Sequence, residues 1–250
     1  MAKKAWVTGA SKGIGRQLAI DLAHQGWHVA ATARTESDLR SLLVETERSA
    51  GEIFLFTGDI TDCSAMEILV EQIENVLGNL DLAILNAGTY IRFGVDNFSA
   101  PTFSKQIEVN LLGTVNCLAP VMQRMKNRNH GHLVVISSLS AYRGLPKASA
   151  YGASKAALTN MCEALKPELD ERGVHLSVVH PGFVKTSLTD KNEFPMPFLI
   201  DVKVASQRIL SGITRKKFEI TFPSRFAFLL KITRCLPYIL YFKITKRLLA

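Results

Sequence analysis

Nowhere in the 250 residues does a Cys-x-x-Cys pair or a close group of Cys and His occur; Cys63, Cys117, Cys162 and Cys235 stand far apart. Zinc needs ligands at short spacing and a disulfide scaffold needs dense cysteines, so neither is expected to hold the fold: the thiols read as reduced and no metal site is expected. No tract rich in Gly, Ser and Pro interrupts the chain and no repeat recurs, which leaves one domain as the expectation for this length. After Phe222 the longest uncharged run is the eight residues 235–242, far below the ~20 that span a bilayer. No basic n-region and apolar core precede the first strand-like segment, so a cytoplasmic setting is expected.

Acidic residues nearly vanish toward one end. From Lys203 onward eleven Lys/Arg face one acid, Glu219. That is +10 against +8 for the whole chain, so the first 202 residues carry a net −2. The basic excess belongs to the tail, and no nucleic-acid-binding module accompanies it, so no nucleic-acid partner is expected. Hydrophobic residues reach 47% and the mean hydropathy is +0.13, which points to some exposed apolar surface.

What is present is an alternation of short β-branched runs with amphipathic stretches. Strands are expected near 5–9, 28–33, 53–57, 81–86, 133–138, 174–180 and 218–222, and helices near 13–25, 37–50, 64–78, 102–127, 151–171 and 203–213. Strand–helix–strand repeated in this way gives right-handed crossovers and a Rossmann-type, doubly wound α/β domain with about seven parallel strands.

Directly after the first strand comes Thr8-Gly9-Ala10-Ser11-Lys12-Gly13-Ile14-Gly15, opening a helix. Glycines let the backbone approach a pyrophosphate, and a helix N-terminus offers free N–H groups to it, so Gly9, Ser11, Lys12, Gly13, Ile14 and Gly15 are expected to bind a dinucleotide. The second strand ends in Arg34 with no acid. An acid there would bind the ribose 2′-hydroxyl, whereas an arginine accommodates a 2′-phosphate, and Lys12 could add a second cation; NADP(H) is therefore expected over NAD(H). The alternative is that Arg34 stacks on adenine and Lys12 is a solvated loop lysine.

Tyr151 and Lys155 stand four apart, on one helix face, and Ser138 lies thirteen residues upstream. A cation beside the phenol favours phenolate, which would bring Tyr151 toward the near-neutral pKa of a general acid or base, while Ser138 orients the reacting oxygen. By themselves an aromatic and a lysine at this spacing also fit an ordinary surface helix.

Taken together, these residues resemble the short-chain dehydrogenase/reductase family from Lys4 to about Thr186. The glycine turn is similar to its cofactor loop, Asp59-Ile60 to a pair contacting adenine, and Asn86-Ala87-Gly88 to its Asn-Ala-Gly. Asn110, Ser138, Tyr151 and Lys155 match its catalytic tetrad, and Pro181-Gly182 with Thr186 its nicotinamide turn. The resemblance implies a carbonyl held between Ser138 and Tyr151, proton donation by Tyr151, Lys155 on the nicotinamide ribose, and Asn110 supporting a water relay. It also implies a homodimer or homotetramer. A non-catalytic dinucleotide sensor or scaffold on the same fold is the alternative, which an intact tetrad argues against.

Phe183 to Ile200, with Phe194, Met196 and Phe198, is apolar for a surface loop. By the resemblance it is a lid at about 183–200, over a hydrophobic carbonyl or alcohol substrate, with Leu139, Tyr142 and Leu145 lining the opposite wall. Residues 1–222 are read as the NADP-binding catalytic domain and 223–250 as a tail. Pro237 should break the tail into two short helices. In the second, Lys243, Lys246 and Arg247 fall within about 100° of arc, with Tyr241, Ile244 and Leu248 opposite. That pattern suits peripheral contact with a membrane surface, and equally a tail packed on its own domain or a sister subunit.

Overall fold

Along the first strand, Ala5 and Val7 enter one apolar layer and Trp6 the other, the period-two pattern of a strand covered on both faces. The computed structural model describes residues 2–190 and 196–247. Seven strands, β1 (Lys4–Thr8), β2 (His28–Ala33), β3 (Glu52–Thr57), β4 (Leu82–Leu85), β5 (Gly131–Ile136), β6 (Val174–Pro181) and β7 (Glu219–Phe222), form one sheet in the order β3-β2-β1-β4-β5-β6-β7. Every pairing is parallel. Helices α1 (Gly13–His24), α2 (Ser37–Glu45) and α7 (Val202–Thr214) cover one face. The other is covered by α3 (Cys63–Leu77), α5 (Gly113–Asn127) and α6 (Ser149–Glu171). All four cysteines are free thiols, and burial pushes those of Cys117 and Cys162 up to about 12, which keeps them inert.

The order reverses between β1 and β4. Loops leaving the carboxyl ends of those strands diverge there and open a crevice, the place where sheets of this kind hold ligands. The chain segments after β1, β4 and β5 all reach that edge.

The long helix expected over 102–127 is instead α4 (Ala100–Ile107) and α5 joined by a π turn, Glu108–Leu112. The wide turn lets the buried Asn110 bond Thr89, which a regular turn would not present in the same way. The helix expected over 37–50 stops at Glu45, where Thr46 leaves helical backbone angles (φ −111°, ψ 8°) while its hydroxyl and N–H still donate to the Leu42 carbonyl. The tail forms α8 (Ser224–Cys235) and α9 (Tyr238–Lys246), parted at Pro237 as expected.

Candidate functional site

The two loops at the crevice are tied to each other. The Asn86 amide donates to the carbonyls of Thr8 (3.1 Å) and Gly9 (3.3 Å). In return the Thr8 hydroxyl accepts from the backbone N–H groups of Asn86 (3.0 Å) and Ala87 (3.1 Å). Gly9 sits at φ +66°, and a Cβ there would come within 2.8 Å of the Ala87 Cα. One on Gly15 would lie 2.3 Å from the Asn86 Nδ2. Both contacts are impossible for a side chain, so the glycines are required by loop packing as well as by any ligand. Asn86 thus has an observed task as a brace for the glycine loop.

The start of α1 has no side-chain cap and no acid in its first turn, which leaves its N–H groups for an anion. Lys12 and Arg34 are exposed beside this edge. Arg34 helps hold the Asp59 carboxyl below its usual range, although the first cause is the hydrogen bond from the Thr61 N–H. Ile60 is buried against Gly113, and its carbonyl accepts from Asn116 (2.9 Å). Thr186 reaches the glycine loop, its Cγ2 3.3 Å from where a Cβ on Gly13 would stand. Ser11 and Ile14 are half-buried in the same turn.

The four tetrad positions converge from three elements. Asn110, in the π turn, accepts from the Thr89 N–H (2.7 Å) and donates to the Thr89 carbonyl (2.9 Å) and to Ser154 (3.2 Å). A Cβ on Gly88 would lie 3.1 Å from Asn110 Oδ1 and 3.6 Å from Lys155 Nζ, so these two polar groups flank one point at the exit of β4. Ser138 follows β5, hydrogen-bonds Tyr151, and accepts from the Ser140 N–H (3.2 Å).

The expected lowering of the Tyr151 pKa is corrected here. Burial raises it, outweighing the Ser138 hydrogen bond that pulls the other way. Lys155 is itself almost fully buried, with its pKa drawn down to about 8 by desolvation. Its ammonium donates to the Ile136 carbonyl (2.9 Å). Tyr90, passed over in the sequence, packs edge-on against Tyr151 with ring centres 4.9 Å apart. Its place two residues beyond Asn86-Ala87-Gly88 was the signal that could have found it.

Two of the residues expected to line the substrate wall are committed elsewhere. Tyr142 is buried, stacks on His180 (4.9 Å) and donates to Glu219 (2.6 Å), which also pairs with Lys231. Leu139 is buried with Tyr142 and Ala227 beneath Phe226 and Leu230 of α8. Both face α8 because its inner side is apolar and covers them. Leu145 is half-buried, Pro181 ends β6 as a buried residue, and the Gly182 N–H donates to the Phe222 carbonyl (2.7 Å). Phe183 stacks on Phe226 at 6.0 Å, and Phe198 lies 5.8 Å from the same ring. Met196 is half-buried, and Phe194 lies outside the described residues.

The tail is held by Arg143. Its guanidinium donates to the carbonyls of Thr233 and Leu236 (2.9 Å) and lies over the rings of Tyr241 (4.0 Å) and Tyr238 (5.2 Å). The Tyr241 hydroxyl donates to the Gly144 carbonyl. Tyr241, expected on a lipid-facing side, is therefore turned inward, while Ile244 stays exposed and Leu248 lies outside the described residues. No described group of His, Cys, Asp and Glu could hold a metal ion. Among the described residues no helix is long and apolar enough to cross a membrane.

Comparison with known proteins agrees with this architecture. A Myxococcus xanthus (strain DK1622) protein known as an uncharacterized oxidoreductase is 35% identical over 246 residues, 98% of this chain and 97% of its own. A short-chain dehydrogenase from Sphingobium yanoikuyae, solved with NADPH, superposes with a TM-score of 0.81 at 24% identity, covering 89% of this chain and 88% of that one. A short-chain dehydrogenase/reductase from Burkholderia phymatum, solved with NAD, gives 0.84 at 20% identity, with 92% of each chain covered. These two likenesses show a shared fold. The short chain dehydrogenase family profile matches residues 3–195. On that match and the near full-length relative, the chain belongs to the short-chain dehydrogenase/reductase family of oxidoreductases.

Proposed function

We propose that the protein is an NADP(H)-dependent oxidoreductase interconverting a carbonyl and a secondary alcohol on a hydrophobic substrate, with Tyr151 as general acid and base. The observation that carries the reading is the convergence of Asn110, Ser138, Tyr151 and Lys155 at the exits of β4 and β5, beside an uncapped helix N-terminus. The residues present fit a dinucleotide: the glycine loop admits no side chain at Gly9 or Gly15, and two exposed cations, Lys12 and Arg34, stand at the loop and the end of β2.

A bound nicotinamide supplies the hydride. The Ser138 hydroxyl orients the substrate oxygen, and the Tyr151 hydroxyl gives it a proton as the carbonyl becomes an alcohol. The raised pKa of Tyr151 keeps it protonated and ready to donate. Lys155 holds the ribose hydroxyls and stabilises the phenolate left after transfer. Asn110, braced by Thr89 and Ser154, fixes the loop carrying Gly88 and supports the path by which protons return. Lys12 and Arg34 take the 2′-phosphate, which favours NADPH and hence reduction. Residues 1–222 form the catalytic body and 223–250 an accessory tail in this reading. The Phe183–Phe198–Phe226 cluster supports an apolar substrate.

The test is NADPH oxidation followed at its absorbance with a panel of apolar ketones. Tyr151→Phe should lower turnover by at least about 100-fold, the usual share of general acid catalysis. Undiminished turnover would show that another group donates the proton, and a protein that binds NADPH but turns over no ketone would favour the sensor reading.

A further inference from the structure

We propose that α8 and α9 form a face that seats on an anionic lipid surface. In α8, Arg225, Phe228, Leu229 and Ile232 follow the i, i+3, i+4, i+7 spacing of one helix stripe. The three apolar members are 65%, 53% and 45% exposed. The inner side of α8 is already occupied, with Ala227 buried against Leu139 and Tyr142. The outer stripe therefore contributes nothing to packing on the sheet. In α9, Tyr238, Ile239 and Phe242 are likewise exposed. Single apolar residues on a surface are ordinary; an exposed apolar stripe on each of two consecutive helices marks a contact surface.

Charge selects the occupant. Arg225 in α8, Lys243 and Lys246 in α9 and Arg247 at its C-terminal cap are exposed, and residues 223–250 contain no acid. A two-fold contact with a second copy would set this face against itself, cation toward cation. An anionic bilayer meets both needs: headgroups take the cations and the interfacial boundary takes Phe, Ile and Tyr. Helices of 12 and 9 residues lie along such a surface. On the reading of an apolar substrate given above, the placement has a further consequence. Phe226, on the inner side of α8, stacks on Phe183 and packs near Phe198, so substrate would enter from the lipid beside α8.

The experiment is sedimentation of the full-length protein with vesicles of phosphatidylcholine alone or mixed with phosphatidylserine. Pelleting is expected with the mixed vesicles and should weaken at high salt. Lys243→Gln, Lys246→Gln and Arg247→Gln combined should weaken it by about 100-fold, about fivefold for each cation near the surface. Phe228→Ser with Ile232→Ser should also release it. Tyr151→Phe should bind vesicles like the parent, so a failure of the catalytic reading leaves this result intact. Equal pelleting with neutral vesicles, or none with either, would overturn the proposal. So would a stable dimer that Ile232→Ser dissociates, which would assign the face to a second copy, or binding to an acidic protein in preference to the mixed vesicles.

Discussion

The Lys155 ammonium stands 5.8 Å from the centre of the Tyr151 ring while donating to the Ile136 carbonyl. It is 4% exposed and its pKa falls from 10.5 to about 8. Burying a cation here works against folding. Between pH 8 and 10.5 the unfolded chain binds this proton and the folded chain does not, so the penalty is full below pH 8 and fades as pH rises to 10.5. Its size is about 3 kcal/mol from the shift, offset by about 1 kcal/mol for the hydrogen bond to Ile136. Lys155→Met should abolish turnover yet stabilise the ligand-free protein by about 2 kcal/mol at pH 7, with the gain gone near pH 10.5. Urea unfolding at the two pH values reads this directly; a variant less stable than its parent at pH 7 would contradict it.

Acid should act through two buried histidines. Burial holds His132 and His180 neutral, with pKa values lowered from 6.5 to about 4. His132 hydrogen-bonds Ser177 (2.7 Å) and His180 hydrogen-bonds Thr159 (3.0 Å). Between pH 6.5 and 4 the unfolded chain takes up protons that the folded chain refuses, so stability falls across that window by about 3 kcal/mol for each histidine. Replacing both by Gln should flatten the difference between unfolding curves at pH 7 and 4.5. An unchanged slope would mean that carboxylates alone govern the acid limb.

Cofactor choice is expected to follow Arg34. Arg34→Asp should lower kcat/KM for NADPH by about 10- to 100-fold, the worth of a charge-assisted hydrogen bond, and raise that for NADH. Lys12→Ala should lower the NADPH value with little effect on NADH. The same ratio of the two efficiencies in both variants as in the parent would remove the 2′-phosphate from this edge.

Arg143 is the fastening of the tail. Arg143→Ala removes two hydrogen bonds and the stacking on Tyr238 and Tyr241, about 2 kcal/mol in all. Amide exchange across 224–247 should quicken while that of β1 and β4 stays unchanged. Arg143→Lys keeps the charge but not the planar fork, and should fall between.

The sheet was legible because each strand carries a period of two or a continuous apolar run. The glycine loop and Tyr151-x-x-x-Lys155 were legible because their spacing is local. The π turn at Asn110 was not, since five residues are too few to separate its period from that of a regular helix. Nor was the orientation of Tyr142: its partner Glu219 is 77 residues away, and an aromatic in a loop after Ser138 reads equally as pocket wall or as core. The sign of the Tyr151 shift also escaped the sequence, because the spacing reveals a neighbouring cation but not how deeply both groups are enclosed.

The contacts that pin the segment after Ser138 span long stretches of chain: Tyr142 to Glu219 across 77 residues, Arg143 to Leu236 across 93, Tyr241 to Gly144 across 97. During synthesis that segment leaves the ribosome well before any of its anchors. The cofactor loop and its brace, Thr8 with Asn86, are complete much earlier. The stretch Tyr142 to Gly144 therefore waits on partners from Glu219 to Tyr241, whereas Thr8 and Asn86 meet while much of the chain is still unmade.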